Sequence, residues 1–342
     1  MAIKIDWQDL QKRYLGWQEV VKVMLNGGEI RPNTVPPVPK PWLCFTANTS
    51  GSTISLGTYW SPEAVTLETS TDWSNWSIYT IWDTITLSNV GDTVYWRNTS
   101  ETDTRFSISG WSFYHFNMSW SISAGWDITY LLNKNSTNTL SNNCFESLFS
   151  RDTALTTAPQ LPATTLAGRC YLEMFIWCSN LVTAPALPAT TLAGKCYSDM
   201  FSRCTSLIAT PQLPATTLAD WCYSNMFYWC TNLVTATDLP AADLPTRCYY
   251  NMFYGCSSLT TLPSIHATTA ALYSCAQTFR GCSKIKLSKT QEWEYQTPYR
   301  IPPSWTLHIT IGRSDYMFNE TWWSFAWTPN SNTTYYTSNT VI

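Results

Sequence analysis

Four consecutive segments of the chain place the same apolar residues at the same offsets: LPATTLAGRCYLEMFIWCSNLVTAPA from Leu161, LPATTLAGKCYSDMFSRCTSLIATPQ from Leu187, LPATTLADWCYSNMFYWCTNLVTATD from Leu213 and LPAADLPTRCYYNMFYGCSSLTTLPS from Leu239. The unit is 26 residues long, within the range of stacked repeat architectures. Drifting copies flank the four, with Cys144, Phe145, Leu148 and Phe149 in phase before them and Phe279 and Cys282 in phase after; atypical end copies are what a capped stack requires. In the second copy Leu192, Cys196, Tyr197, Met200, Phe201 and Cys204 fall at offsets 0, 4, 5, 8, 9 and 12, which reads as one apolar stripe of an α-helix. Thr190 and Thr191 stand where an N-cap belongs. Past the second cysteine a polar pair turns the chain, and 207–213 reads as a short strand in which Pro211 and Pro214 bar a helix. The pattern predicts an α/β solenoid of about six helix–strand coils over 135–288, with one parallel sheet and one layer of helices. Each coil would bury about six or seven apolar side chains at about 1.5–3 kcal/mol each, against a conformational cost of similar size, so no copy should stand alone.

Upstream, over 42–134, the period disappears. Short alternating segments replace it: TISL from Thr53, AVTLET from Ala64, WSIYTI from Trp76, TITL from Thr84 and TVYWR from Thr93, separated by Gly91-Asp92 and Ser/Thr/Asp clusters. Brief strands with regular turn signals predict a small antiparallel β-sandwich. NTVPPVPKP, 33–41, reads as a stiff Pro-rich linker, which leaves 1–32 as a separate amino-terminal piece. Beyond 288 the period breaks, and 289–342 reads as an irregular cap over the last coil, with Tyr316, Met317 and Phe318 echoing the repeat.

The motif CYxxMFxxCxxLxxxPxLPATTLA resembles the repeats of the BspA-type leucine-rich-repeat surface proteins. LCFTANTSGSTISL, GDTVYWRN and NTTYYTSNTVI are similar to segments that accompany such repeats. The resemblance implies a leucine-rich-repeat scaffold at a cell surface, an adhesive or host-binding role and no enzyme activity. QKRYLGWQEVVKVMLNGGEIRP, 11–32, is similar to amino-terminal pieces of phage and prophage structural proteins. That likeness implies docking to a larger particle through 1–32, with the repeats displayed outward.

Composition narrows the partners. Lysine and arginine number 20 against 23 acidic residues, a formal charge of −3, and charged residues make up only 13% of the chain. No basic stripe is present to displace counterions, so a nucleic-acid partner is not expected. MAIKIDWQDLQKRY contains no apolar run long enough for a signal peptide, and nowhere do about 18 apolar residues run in succession, so neither conventional export nor membrane insertion is expected.

Twelve cysteines would suggest a disulfide framework in a small secreted domain, but most are locked to the repeat. The pairs Cys170/Cys178, Cys196/Cys204, Cys222/Cys230 and Cys248/Cys256 are spaced too widely for a zinc knuckle. Together with Met174, Phe175, Met200, Phe201, Met226, Phe227, Met252 and Phe253 they are expected to form buried core ladders; disulfides between coils and a metal site are the alternatives. His115, His266 and His308 lie in no catalytic motif, and Asp72, Asp83 and Asp127 sit in turn contexts that Asx turns explain, with calcium as the alternative. No catalytic residue, cofactor or metal is expected.

The positions that differ between copies follow each Met-Phe pair: Ile176, Ser202, Tyr228 and Tyr254, then Trp177, Arg203, Trp229 and Gly255. A row of Trp177, Arg203, Tyr228, Trp229 and Tyr254 at the helix ends would suit a sugar ring or a protein partner. The same positions would also suit a left-handed C-cap, where glycine is favoured, and Gly255 and Gly281 take that place in the later copies. Trp73 and Trp82 likewise fall in turns where glycine is expected. Nineteen tryptophans among 342 residues is several times ordinary usage, and a codon read as glycine in the source cell would explain the replacements. The function expected is non-enzymatic recognition of a protein or glycan receptor from a cell surface or a virion; the alternative is a structural particle component whose repeats act as a spacer.

Overall fold

The computed structural model describes residues 42–60, 65–101, 106, 112–135, 137–260 and 262–285, and in addition the backbone of two short strands. These two, β1 (Met24–Leu25) and β2 (Gly28–Glu29), pair antiparallel with Leu25 opposite Gly28. They belong to a unit spanning Met1–Lys40; Pro41–Ile342 form the other. Otherwise the attachment segment expected at 1–32, the linker at 33–41 and the cap at 289–342 lie outside the described residues.

In the larger unit, strands β3 (Leu43–Ala47), β5 (Leu67–Ser70), β6 (Ser77–Ile78), β8 (Thr93–Asn98), β10 (Ile122–Gly125) and β11 (Leu155–Thr157) make a six-stranded sheet in the order β11-β10-β3-β8-β5-β6. Strands β7 (Ile85–Leu87), β4 (Ser52–Tyr59) and β9 (Phe113–Met118) make a second sheet in the order β7-β4-β9. Alternation along β8 turns Val94, Trp96 and Asn98 inward, the two-residue period of a half-buried strand. The faces meet where Phe116 of β9 packs 4.8 Å from Phe45 and 5.3 Å from Trp96. A self-contained antiparallel sandwich over 42–134 is therefore corrected in one respect. The edge strand β11 comes from the repeat region and pairs with β10 in parallel.

The helix–strand solenoid is overturned outright: among the described residues there is no α-helix, and a single 3-10 turn spans Ile128–Leu131. The segments read as helices are runs of turns. Within one copy Cys170, Leu172, Met174, Ile176 and Cys178 donate their N–H groups three residues back, to the carbonyls of Ala167, Arg169, Tyr171, Glu173 and Phe175. The intervening Arg169, Tyr171, Glu173, Phe175 and Trp177 donate instead to the next copy, to Gly194, Cys196, Ser198, Met200 and Ser202 at 2.8–3.0 Å. Every fourth residue has a left-handed backbone: Arg169, Glu173 and Trp177 at φ 58, 55 and 64°, and Lys195, Asp199 and Arg203 at 58, 54 and 63°. An α-helix needs an unbroken series of φ near −63°, so this winding cannot be one. The leucine-rich-repeat architecture, with its helical layer and continuous parallel sheet, is corrected with it. Thr190 caps nothing; its carbonyl accepts from Thr216 and Thr217 of the next copy. The expected parallel sheet shrinks to isolated bridges such as Thr191 with Thr217 and Ala209 with Thr235, and to β12 (Asp243–Leu244) beside β13 (Thr269–Ala270).

What the stacked turns enclose is dry. Cys170, Tyr171, Met174, Phe175 and Cys178, and their counterparts in each copy, are buried. Rings of successive copies lie face to face: Phe149, Phe175, Phe201, Phe227, Phe253 and Phe279 follow one another at 5.4–5.7 Å with planes within 7°. Tyr171, Tyr197, Tyr223 and Tyr249 form a second column at 5.8–6.0 Å. The phenylalanine column continues into the sheets, since Phe149 stacks on Phe116 at 5.3 Å. Phe116 and Ile122 also donate backbone N–H groups to Leu148 and Ala154. One hydrophobic core consequently runs from Leu43 to Ile285.

Candidate functional site

Burial decides first what is not available. All twelve cysteines are free and buried, and the core columns of Cys, Met and Phe offer no surface. The second cysteine of each copy has a defined task. Cys178, Cys204, Cys230, Cys256 and Cys282 donate S–H to the carbonyls of Phe149, Phe175, Phe201, Phe227 and Phe253 of the preceding copy at 3.0–3.1 Å. Burial pushes the thiols of Cys170, Cys222 and Cys230 up to about 12. Because the thiolate is the reactive form, the native chain is expected to leave all its thiols unlabelled by a thiol-specific disulfide reagent at pH 8 and to release all of them on unfolding in guanidinium. Rapid labelling of even one in the native state would contradict this burial.

Outside the core the turns present three columns at their left-handed corners. The last holds Arg151, Trp177, Arg203, Trp229, Gly255 and Gly281, and the stack brings the expected row together. The Arg203 guanidinium sits 4.4 Å from the Trp177 ring, 5.6 Å from Tyr228 and 5.9 Å from Trp229. Tyr228 stacks on Tyr254 at 5.0 Å, and Arg280 lies over Tyr254 at 5.4 Å. Such cation–ring contacts hold each arginine in place at about 0.5–1 kcal/mol apiece at an exposed site. Ser202, in the neighbouring column, is buried and contributes no surface.

A second patch was not anticipated. Arg247 lies over Trp221 at 4.4 Å, Tyr273 at 5.1 Å and Tyr250 at 5.8 Å, and Lys195 lies 5.2 Å from the Trp221 ring. Its signal is the residue before the first cysteine of each copy, Arg169, Lys195, Trp221 and Arg247, which sets a ring between two cations. The middle column holds Glu173 and Asp199: burial raises both above the ordinary range, and the Asp199 charge raises Glu173 further.

The remaining sequence candidates take structural places. Asp72 closes a turn, accepting from the Ser74 and Asn75 backbones at 2.9 and 2.8 Å and from the Asn75 side chain at 2.6 Å. These bonds hold its carboxyl well below the usual range. Asp127 caps the 3-10 turn through Thr129 at 2.8 Å, and the Asp83 carbonyl receives the Tyr79 hydroxyl at 2.6 Å. His115 lies among the rings of Tyr59, Trp82 and Phe113, His266 is exposed in the last copy, and His308 falls outside the described residues. Among the described residues no group of three His, Cys, Asp or Glu is placed to hold a metal ion, and no helix is long and apolar enough to cross a membrane. No family model, curated protein or solved structure matches the chain.

Proposed function

We propose that this chain is a non-enzymatic recognition protein that presents the outward columns of its stacked turns to a protein or glycan receptor, on a cell surface or a virion. One observation carries the reading: a single stack joins uniform buried columns to varied outward ones. Phe175, Phe201, Phe227 and Phe253 repeat without change, whereas the left-handed corners Arg169, Lys195, Trp221 and Arg247 and the outward Ile176, Tyr228 and Tyr254 differ from copy to copy. A scaffold that keeps its interior fixed while its corners vary is suited to displaying a surface rather than to positioning a nucleophile. Flat rings already held by arginine would bury area on binding at small entropic cost.

The full chain applied to glycan and cell-binding arrays, beside a Tyr228→Ala/Tyr254→Ala variant, tests this reading. Binding by the parent that falls at least about tenfold in the variant, a loss of about 1.4 kcal/mol or more, is expected. Equal binding by both would place the recognition surface elsewhere. The spacer reading is favoured by a different feature, the backbone bonds that tie each copy to the next along the whole stack and that would make a stiff rod. Absence of any bound receptor, with normal incorporation into a particle, would support the spacer instead.

A further inference from the structure

We infer that seven tryptophans of this sequence, Trp60, Trp73, Trp82, Trp120, Trp126, Trp177 and Trp229, are glycines in the protein that its own cell makes, encoded by a codon that other genetic codes read as tryptophan. The backbone sets them apart from Trp42, Trp76 and Trp96. Of the eleven tryptophans among the described residues, these seven and Trp221 have φ between 56 and 75°. Left-handed backbone is uncommon for any residue with a Cβ and is a true outlier for a bulky one.

The two halves of the structure agree independently. Over 42–134 the described non-glycine residues with positive φ are Trp60, Trp73, Trp82, Trp120 and Trp126, with no other residue type among them; Gly51 and Gly91 take the other such positions at φ 75 and 89°. In the stack, Trp177 and Trp229 share a column with Gly255 and Gly281. Trp221 is left out, because its column holds Arg169, Lys195, Arg247 and Tyr273 at the same φ and no glycine.

Packing agrees for the three most exposed members of the set, whereas Trp177 lies under Arg203 at 4.4 Å and Trp73 against Tyr95 at 5.4 Å. Trp42, Trp76 and Trp96 have ordinary backbones and work as tryptophans: Trp42 and Trp96 are 8% and 0% exposed, and Trp76 holds the Arg97 guanidinium 3.9 Å from its ring. Trp60, Trp120 and Trp82 are 78%, 71% and 56% exposed, a placement that gains an indole almost nothing and costs a glycine nothing. Composition fits as well, since 13 glycines in 342 residues is roughly half the ordinary usage of about 7%. For the recognition face, the consequence is that Arg203, Tyr228, Tyr254 and Arg280 carry it without the two indoles.

Peptide mass spectrometry on the protein purified from the cell that carries the gene tests the inference directly. Glycine masses at the seven positions and tryptophan masses at Trp42, Trp76 and Trp96 are expected; tryptophan at the seven would overturn it. A second measurement reads the backbone alone. Recombinant chain with all seven Trp→Gly changes should melt at least ~5 °C above the chain as written, while Trp96→Gly should melt well below it. A seven-fold variant that melts no higher than its parent would refute the argument from φ. Neither measurement depends on a receptor, so its failure is distinct from failure of the recognition reading.

Discussion

Phe201→Ala is expected to remove about 3–5 kcal/mol of unfolding free energy. Phe201 is fully buried and lies between Phe175 at 5.5 Å and Phe227 at 5.7 Å, so its loss opens a void that faces two copies at once. In a stack whose stability is a sum of copies and of the contacts between neighbours, cutting the middle contact divides the cooperative unit. Urea unfolding followed with amide hydrogen exchange should show a lower midpoint, with residues 205–285 losing protection before the sheets. A decrease below about 1 kcal/mol, or uniform loss of protection, would show that the column does not carry the coupling. Tyr197→Phe is the matched control. The Tyr197 hydroxyl is buried without a partner, so removing it should leave stability unchanged or raised.

Raising the pH from 5 to 8 is expected to weaken the fold. Burial pushes Asp152 and Glu146 up to about 7. The Ala154 N–H bond partly offsets the effect at Asp152, and at Glu146 the Arg169 charge lowers and the Glu173 charge raises the result. Each carboxylate has one buried oxygen without a partner. The unfolded chain releases these protons near pH 4, while the folded chain keeps them until about pH 7. Between those values the folded state binds more protons, so stability is complete at acid pH and declines as the pH rises towards 7. Three pH units for Asp152 correspond to about 4 kcal/mol at most. Melting curves from pH 5 to 8 should fall steadily, and Asp152→Asn with Glu146→Gln should flatten them. A parent more stable at pH 8 than at pH 5 would reverse the assignment.

The repeat length, the buried set and the neighbourhood of Arg203 and Tyr228 were all legible in the sequence, because each depends only on which residues recur at which interval. The local backbone was not. Leu192, Cys196, Met200 and Cys204 lie four apart, and over so few residues that spacing satisfies a 3.6-residue helix and a four-residue turn alike. Two clues favoured turns. Cys196, Met200 and Cys204 advance by four each time, as do Tyr197 and Phe201 beside them, where a helical stripe would drift, and polar residues at 195, 199 and 203 keep the same strict period. Neither clue says that Arg or Lys will accept a left-handed φ, which inter-copy hydrogen bonding enforces. The Arg247 patch was missed because it assembles from residues a whole copy apart, Trp221, Arg247 and Tyr273, with Tyr250 beside them.

Along the wound turns the backbone bonds between copies run one way: Tyr171 donates to Cys196, Tyr197 to Cys222, Tyr223 to Cys248 and Tyr249 to Ser274, while on the opposite side of each copy Thr216 and Thr217 donate back to Thr190. A duplicated block of 26 residues spliced into this register would find donors below it and acceptors above it already in place, whereas a block of any odd length would set donor against donor. Gene duplication can therefore lengthen or shorten the protein only in whole steps, and the distance it spans becomes an inherited quantity that evolution adjusts by counting.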